Sequence, residues 1–183
     1  YIVNFSAQSM VAQSWETPED WYNTNVVSAS MLHKELRNFD FLKRYVHITT
    51  PEVYGNTSGF IREDAPFNPS TPYAISRLAG DLSLKGYSKE FGIPAVFTRA
   101  ANVYGSGQQL YRIIPRTILG ILTGTPLQLH GGGLSNRSFI HIDDVSAATL
   151  KIMENAENGE TYHISTDEIV SIRSLVEMIC ETM

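Results

Sequence analysis

The chain has 183 residues, 43% of them hydrophobic, and a formal net charge of −5. That is enough apolar material for one substantial core, and the acidic balance leaves no basic surface on which nucleic acid would dock. No run approaches the roughly 18 to 20 apolar residues of a bilayer-spanning helix, and the opening Tyr1-Ile2-Val3-Asn4-Phe5 has neither the length nor the charged leader of a signal peptide, so a soluble, cytoplasmic protein is expected.

In chain order, Tyr1 to Ala7 reads as a core strand with no preceding cap, turn or partner. The far end, Ser174 to Met183, is an apolar helical pattern without a Gly, Asn or Pro stop signal. Both ends suggest a piece of a longer protein. Thr17-Pro18-Glu19-Asp20 opens a helix, with a capping hydroxyl, a proline at the first helical position and acids in the first turn. This helix is predicted to run to about Arg37 and to bury one stripe containing Val26, Val27, Met31 and Leu32. Tyr45 to Thr50 is β-branched and apolar, a buried parallel strand that carries Thr50 and Glu52 to its carboxyl edge, where open α/β sheets bind ligands. The Gly-, Asn-, Ser- and Pro-rich stretch from Asn56 to Thr71 is a loop long enough to suggest a functional role. Ser70-Thr71-Pro72 then opens a helix from Tyr73 to about Phe91, closed by Gly92, and Pro94 to Ala100 is a third strand.

Strands alternating with helices imply a parallel sheet covered on both faces, one half of a Rossmann-like, doubly wound α/β fold spanning residues 1–105. Beyond Gly105 the texture changes. A helix near Ile113 to Leu122, a short strand at Leu127-Gln128-Leu129, a turn at Gly131-Gly132-Gly133, a strand at Phe139 to Ile142 and a helix after Asp143-Asp144 follow. With a strand at Tyr162 to Ser165 and the last helix, these make 106–183 the start of a smaller, mixed α/β lobe, some of whose elements return to the sheet. Cys180 lies in the pattern of Leu175, Val176 and Ile179, which predicts a buried thiol in a reducing compartment. The histidines at 33, 47, 130, 141 and 163 show no ligand spacing, so no metal site is expected.

Two segments carry chemistry. Ile48-Thr49-Thr50-Pro51-Glu52-Val53-Tyr54-Gly55 brings a hydroxyl and a carboxylate to a strand end, and Tyr73-Ala74-Ile75-Ser76-Arg77 brings a phenol and a cation to a helix start. Four residues separate Tyr73 from Arg77, which places them on one helix face a turn apart. An ordinary phenol, with a pKa of ~10, is only about 0.1% ionised at neutral pH, and a nearby cation must supply roughly 4 kcal/mol to lower it by three units.

With Asn4-Phe5-Ser6-Ala7-Gln8-Ser9, Arg99-Ala100-Ala101-Asn102-Val103-Tyr104-Gly105 and Arg137-Ser138-Phe139-Ile140-His141-Ile142-Asp143-Asp144-Val145, these segments make five motifs. In that order they resemble the extended short-chain dehydrogenase/reductase family, and within it the nucleotide-sugar 4,6-dehydratases. The opening motif is most similar to GDP-mannose 4,6-dehydratases and the later ones to the dTDP-glucose enzymes. The resemblance implies NAD as cofactor, a nucleotide-diphosphate sugar as substrate, and a homodimer formed through the helices 21–37 and 74–91. It also marks an absence: the family's glycine-rich dinucleotide fingerprint has no counterpart in these 183 residues, and without it NAD binding would be impaired.

In the reaction that the resemblance implies, hydride leaves carbon 4 of the hexose, water is lost across carbons 5 and 6, and hydride returns to carbon 6. Tyr73 is similar to the base that removes the hydroxyl proton, Thr50 to the hydroxyl that orients the carbon 4 oxygen, and Glu52 to the base that takes the carbon 5 proton. Arg77 stands where the family has lysine; it either favours the phenolate from a less suitable geometry or is a surface arginine. Pro51 stands where dTDP-glucose dehydratases carry an acid, a loss that typically costs ~10²- to 10⁴-fold. Ala7 and Ser9 correspond to cofactor-touching positions. Asn102 and Arg137, with Arg112 and Arg116 beside them, correspond to groups that hold the substrate's diphosphate; Arg137 is otherwise a solvated loop charge. A 4-epimerase, a uronate decarboxylase or a sugar-nucleotide-binding protein with a degenerate site are the alternatives.

Overall fold

The computed structural model describes residues 1–57 and 59–183, and the chain divides into two compact units. The first comprises Tyr1–Ala100 and Ala147–His163, the second Ala101–Ser146 and Ile164–Met183.

In the first unit the strands β1 (Ile2–Asn4), β2 (Tyr45–Ile48), β3 (Ala95–Ala100) and β7 (Thr161–Ile164) form one sheet in that order. β1, β2 and β3 are parallel, with Ile2 opposite Tyr45 and Tyr45 opposite Ala95. Alternation places Tyr45, His47, Ala95, Phe97 and Arg99 on one face. Against it pack Leu36 of helix α2 (Ala29–Leu36), Leu84 of helix α3 (Pro72–Phe91), Leu42 and Ile93. Val46, Val96 and Thr98, of opposite parity, are equally buried, so both faces are closed to water, as expected of central parallel strands.

β1 is shorter than the strand predicted to Ala7. It is half-buried and ends at Asn4, whose side-chain Oδ1 accepts from Ser6 N at 3.0 Å and turns the backbone out of the ladder. The loop predicted at 56–71 carries no helix or strand among its described residues; Ser58 lies outside them.

The helix predicted from Pro18 to Arg37 is interrupted. Helix α1 (Pro18–Tyr22) passes into a π-turn over Asn23–Ser28 before α2 begins. The extra residue of a π-turn offsets the helix faces by about 100°. The buried face is therefore Trp21, Asn25, His33 and Leu36, whereas Val27, Met31 and Leu32 are exposed and Val26 is half-buried. The predicted apolar stripe points to solvent. Polar pairing with α3 fixes the observed face: Ser30 Oγ and His33 Nδ1 both meet Ser83 Oγ, at 3.2 and 3.3 Å.

The second unit holds the parallel pair β4 (Asn102–Tyr104) and β6 (Phe139–His141), and the antiparallel pair β5 (Asn136–Arg137) and β8 (Val170–Ser171). Helix α4 (Ile113–Thr123) closes on left-handed Gly124, and residues 125–129 form no strand. Thr125 N is spent on the Gly120 carbonyl at 2.9 Å, and Pro126 has no donor for a ladder. Helix α5 (Ile142–Asn155) starts at Ile142, so Asp143 and Asp144 sit inside its first turn rather than before it. Cys180 is exposed, against expectation. Its helix α6 (Ile172–Thr182) has no fully buried residue: it meets chiefly α4, β8 and the turn at His130–Gly133, which half-bury Leu175, Val176 and Ile179 but leave Cys180 exposed.

Candidate active site

β2 delivers Thr50 as the N-cap of a single 3-10 turn, Pro51–Tyr54. Thr50 is buried, and its Oγ1 accepts from Glu52 N at 3.2 Å. Pro51 occupies the first position of the turn, where a missing N–H costs nothing. That gives this residue a local structural role in place of the acid. Pro51 and Glu52 are exposed, whereas Val53 and Tyr54 are buried and root the turn. Gly55 closes it with φ +69°, a conformation that suits glycine, and an added Cβ would collide with the Asn68 carbonyl. Asn68 N in turn donates to Val53 O at 3.0 Å, which fastens the following loop to the turn.

At the start of α3, Thr71 Oγ1 accepts from Ala74 N at 3.1 Å and Pro72 takes the first helical position, as the sequence predicts. Tyr73 is half-buried. Arg77 is only 4% exposed, so it is no surface arginine. Its Nη2 donates to the Ile48 carbonyl, two residues before Thr50, and ties the second turn of α3 to the strand end. The guanidinium also acts on Tyr45. Burial pushes the Tyr45 phenol up to about 12, against the smaller opposing effects of the hydrogen bond from Asn4 and the Arg77 charge. Tyr45 therefore stays neutral and accepts from Asn4 Nδ2 at 2.6 Å.

Ala7 is half-buried and Ser9 exposed in the segment after β1, and the residue between them is held by a group that the sequence reading missed. Asn25, buried in the π-turn, accepts from Gln8 N at 2.8 Å through Oδ1 and donates to Gln8 O at 2.9 Å through Nδ2. The same Nδ2 reaches Ser76 Oγ at 3.0 Å, and Ser76 Oγ donates to Tyr73 O at 2.8 Å. Asn25 thus joins the Ala7–Ser9 segment to the first turn of the Tyr73 helix. The available signal was a run of poor helix formers, Asn23-Thr24-Asn25, inside a predicted helix. π-turns recur at functional sites.

Thr50, Glu52, Tyr73, Arg77, Ala7 and Ser9 all belong to the first unit. The predicted diphosphate groups belong to the second. Asn102, exposed, donates from Nδ2 to Ser138 O at 3.1 Å, next to exposed Arg137, whose Nη1 donates to Asn136 O at 2.8 Å. Arg112 is the N-cap of α4, with its guanidinium 5.5 Å from the Tyr111 ring centroid, and exposed Arg116 follows one turn later. Among the described residues no group of three or more His, Cys, Asp or Glu is placed to hold a metal ion, and no helix is long and apolar enough to cross a membrane.

Residues 1–165 match the model of the NAD dependent epimerase/dehydratase family. A dTDP-glucose 4,6-dehydratase of Mycobacterium tuberculosis is 31% identical over 97% of this chain and 56% of its own length. Among solved structures, the dTDP-glucose 4,6-dehydratase DesIV of Streptomyces venezuelae, with NAD bound, superposes with a TM-score of 0.92 at 31% identity, over 99% of this chain and 56% of that one. The UDP-glucuronic acid 4-epimerase of Bacillus cereus, in complex with UDP-glucuronic acid and NAD, gives 0.91 at 30%, over 97% and 57%. The chain spans about half the length of the curated relatives it matches.

Proposed function

Since the chain belongs to the NAD-dependent epimerase/dehydratase family, we propose that it carries the catalytic segment of a nucleotide-sugar 4,6-dehydratase. The observation that supports dehydration over epimerisation is Glu52. It is an exposed carboxylate, two residues past the buried Thr50 hydroxyl, on a turn rooted by Val53 and Tyr54. Inversion at carbon 4 needs no base at carbon 5, whereas elimination does.

The residues fit the family's cofactor. Arg77 is a buried cation tied to the Ile48 carbonyl at the strand end, where its charge favours an anionic or polar cofactor group nearby. Ala7, Ser9 and Tyr73 complete that side. NAD, when bound, supplies the hydride acceptor for carbon 4 and the hydride returned to carbon 6. Tyr73 takes the carbon 4 hydroxyl proton, and Thr50 orients that oxygen. Once carbon 4 is a ketone, Glu52 removes the acidified carbon 5 proton. Pro51 carries no proton, so the departing hydroxyl takes one from water or a neighbouring group. Asn102, Arg112, Arg116 and Arg137 bind the diphosphate, with arginine suited to bidentate contact.

We further infer a homodimer. Val27 and Met31 on one helix, and Ile75 and Leu82 on α3, are exposed apolar side chains on the two helices expected to pair with a second copy. A monomer in sedimentation would remove this part of the reading.

Product analysis after incubation with nucleotide-diphosphate hexoses tests the function. A 4-keto-6-deoxy sugar is the expected product. An inverted carbon 4 hydroxyl, or released carbon dioxide from a uronate, would replace the dehydratase reading by the epimerase or decarboxylase one; binding without cofactor reduction would indicate a degenerate site.

A further inference from the structure

Glu52 stands on a turn of only four residues, and what fixes that turn is a buried polar chain beneath it. We propose that Asp81, Arg99 and Tyr54 are positioning residues for Glu52, an inference that rests on the dehydratase reading above.

The chain starts on α3 and ends under the turn. Asp81 is fully buried; its Oδ2 accepts from Arg99 Nη2 at 3.0 Å, and its Oδ1 lies 3.4 Å from His47 Nε2. Arg99, 1% exposed, donates through Nη1 to the Tyr54 hydroxyl, and its guanidinium carbon lies 4.9 Å from the Tyr54 ring centroid and 5.1 Å from that of Phe67. Burial acts to raise the Asp81 pKa, but the hydrogen bond and charge of His47 and the Arg99 cation bring it below the ordinary carboxylate range. The pair is therefore an ionised carboxylate facing a guanidinium, both buried from solvent. Burying two charges is expensive unless their remaining donors and acceptors are used, and the Tyr54 hydroxyl uses one of them.

The Tyr54 hydroxyl also lies 2.9 Å from His163 Nε2 and 3.1 Å from the Glu63 carbonyl. His163 Nδ1 faces the Ile61 carbonyl at 3.1 Å. A carbonyl only accepts, so in the neutral ring Nδ1 carries the proton toward Ile61, and the single phenol proton of Tyr54 has two acceptors beside it, the Glu63 carbonyl and His163 Nε2. The hydroxyl thereby joins the Arg99–Asp81 pair, the loop at 61–67 and β7. Tyr54 is two residues from Glu52, so fixing its hydroxyl fixes the carboxylate's backbone. Truncating Asp81 or Arg99 would leave the other charge buried and alone. Losing the Tyr54 hydroxyl alone frees the turn while sparing that pair.

The native protein carrying this chain is compared with Tyr54→Phe in single-turnover experiments on the nucleotide sugar accepted by the wild type. Two steps are read: reduction of bound NAD, which reports carbon 4 oxidation, and deuterium uptake at carbon 5 from D2O, which reports Glu52. The expected result is loss of carbon 5 exchange by roughly tenfold to a hundredfold, the scale of a misplacement of about 1 Å, with carbon 4 oxidation within about twofold. Equal loss of both steps, or of neither, overturns the proposal. If Tyr54→Phe does not fold, Arg99→Lys, which keeps the charge opposite Asp81 but loses the fork, is read by the same two steps and the same criterion. If the wild type itself oxidises no nucleotide sugar, the functional reading fails and takes this proposal with it; that outcome is distinct because it precedes any substitution.

Discussion

The side-chain amide of Asn25 pairs twice with the backbone of Gln8, through Oδ1 to N and Nδ2 to O, and so behaves as an extra rung of secondary structure between a π-turn and the segment after β1. Its Nδ2 also reaches Ser76. Asn25→Ala removes the whole set. A loss of about 1–3 kcal/mol in urea unfolding is expected, since each bond contributes ~0.5–1.5 kcal/mol and Gln8 is free to recover water. Asn25→Asp keeps the acceptor for Gln8 N but loses both donations, and should fall between. If alanine is silent, Asn25 does not hold the segment.

Gly80 gives a prediction in which two effects oppose. In an exposed helix interior Gly→Ala gains about 1 kcal/mol. Here an added Cβ would lie 2.7 Å from the Asn25 backbone oxygen, and overpacking typically costs ~1–3 kcal/mol. Gly80→Ala should therefore lower the thermal midpoint. A stabilised variant would mean that α3 and the π-turn can move apart freely.

Arg77 is expected to matter through its charge at the strand end. On the proposed function, Arg77→Ala should lower turnover at least about tenfold, because the buried cation one helical turn from Tyr73 and its bond to the Ile48 carbonyl are both lost. Arg77→Lys keeps the cation and should retain most of the activity. Both are read as single-turnover reduction of bound NAD beside a urea melt, which separates lost chemistry from lost fold. Unchanged rates in the alanine variant would remove the electrostatic role.

His33 predicts acid sensitivity. Burial chiefly, with the neighbouring His47 and against the opposing pull of Asp81, lowers its pKa from 6.5 to about 4. The unfolded chain then takes up a proton near pH 6.5 and the folded one only near 4, so acidification through that window favours unfolding. The loss approaches about 3 kcal/mol at the lower end. Asp81 acts in the same direction at still lower pH, because its stabilising charge is lost as pH falls through a depressed pKa. Thermal melts between pH 7 and 4.5 should fall steeply, and His33→Gln should flatten the slope. A flat wild-type profile would show that His33 protonates without penalty.

The local signals were legible because each depends on neighbours in sequence. Thr71-Pro72 and Gly92 bound α3 as written, and the apolar runs at 45–48 and 95–100 are the buried strands. The face of the first helix was not legible, since periodicity assumes 3.6 residues per turn and the π-turn at Asn23–Ser28 breaks that assumption. The apolar pattern around Cys180 shows which face of α6 packs and not how far the cover extends: Leu175, Val176 and Ile179 are half-buried, while Cys180 beside them is exposed.

The family motifs, and the alternation of strand and helix from Tyr45 to Ala100, are written in neighbouring residues, because spacing along a strand or helix converts directly into direction. That Arg77 is buried against Ile48, that Asn25 clasps Gln8, and that Asp81, Arg99 and Tyr54 form one chain follows from packing alone. Those pairings join residues 17 to 45 positions apart. A hydrogen bond between such residues is set by how strands and helices stack, which no local pattern encodes.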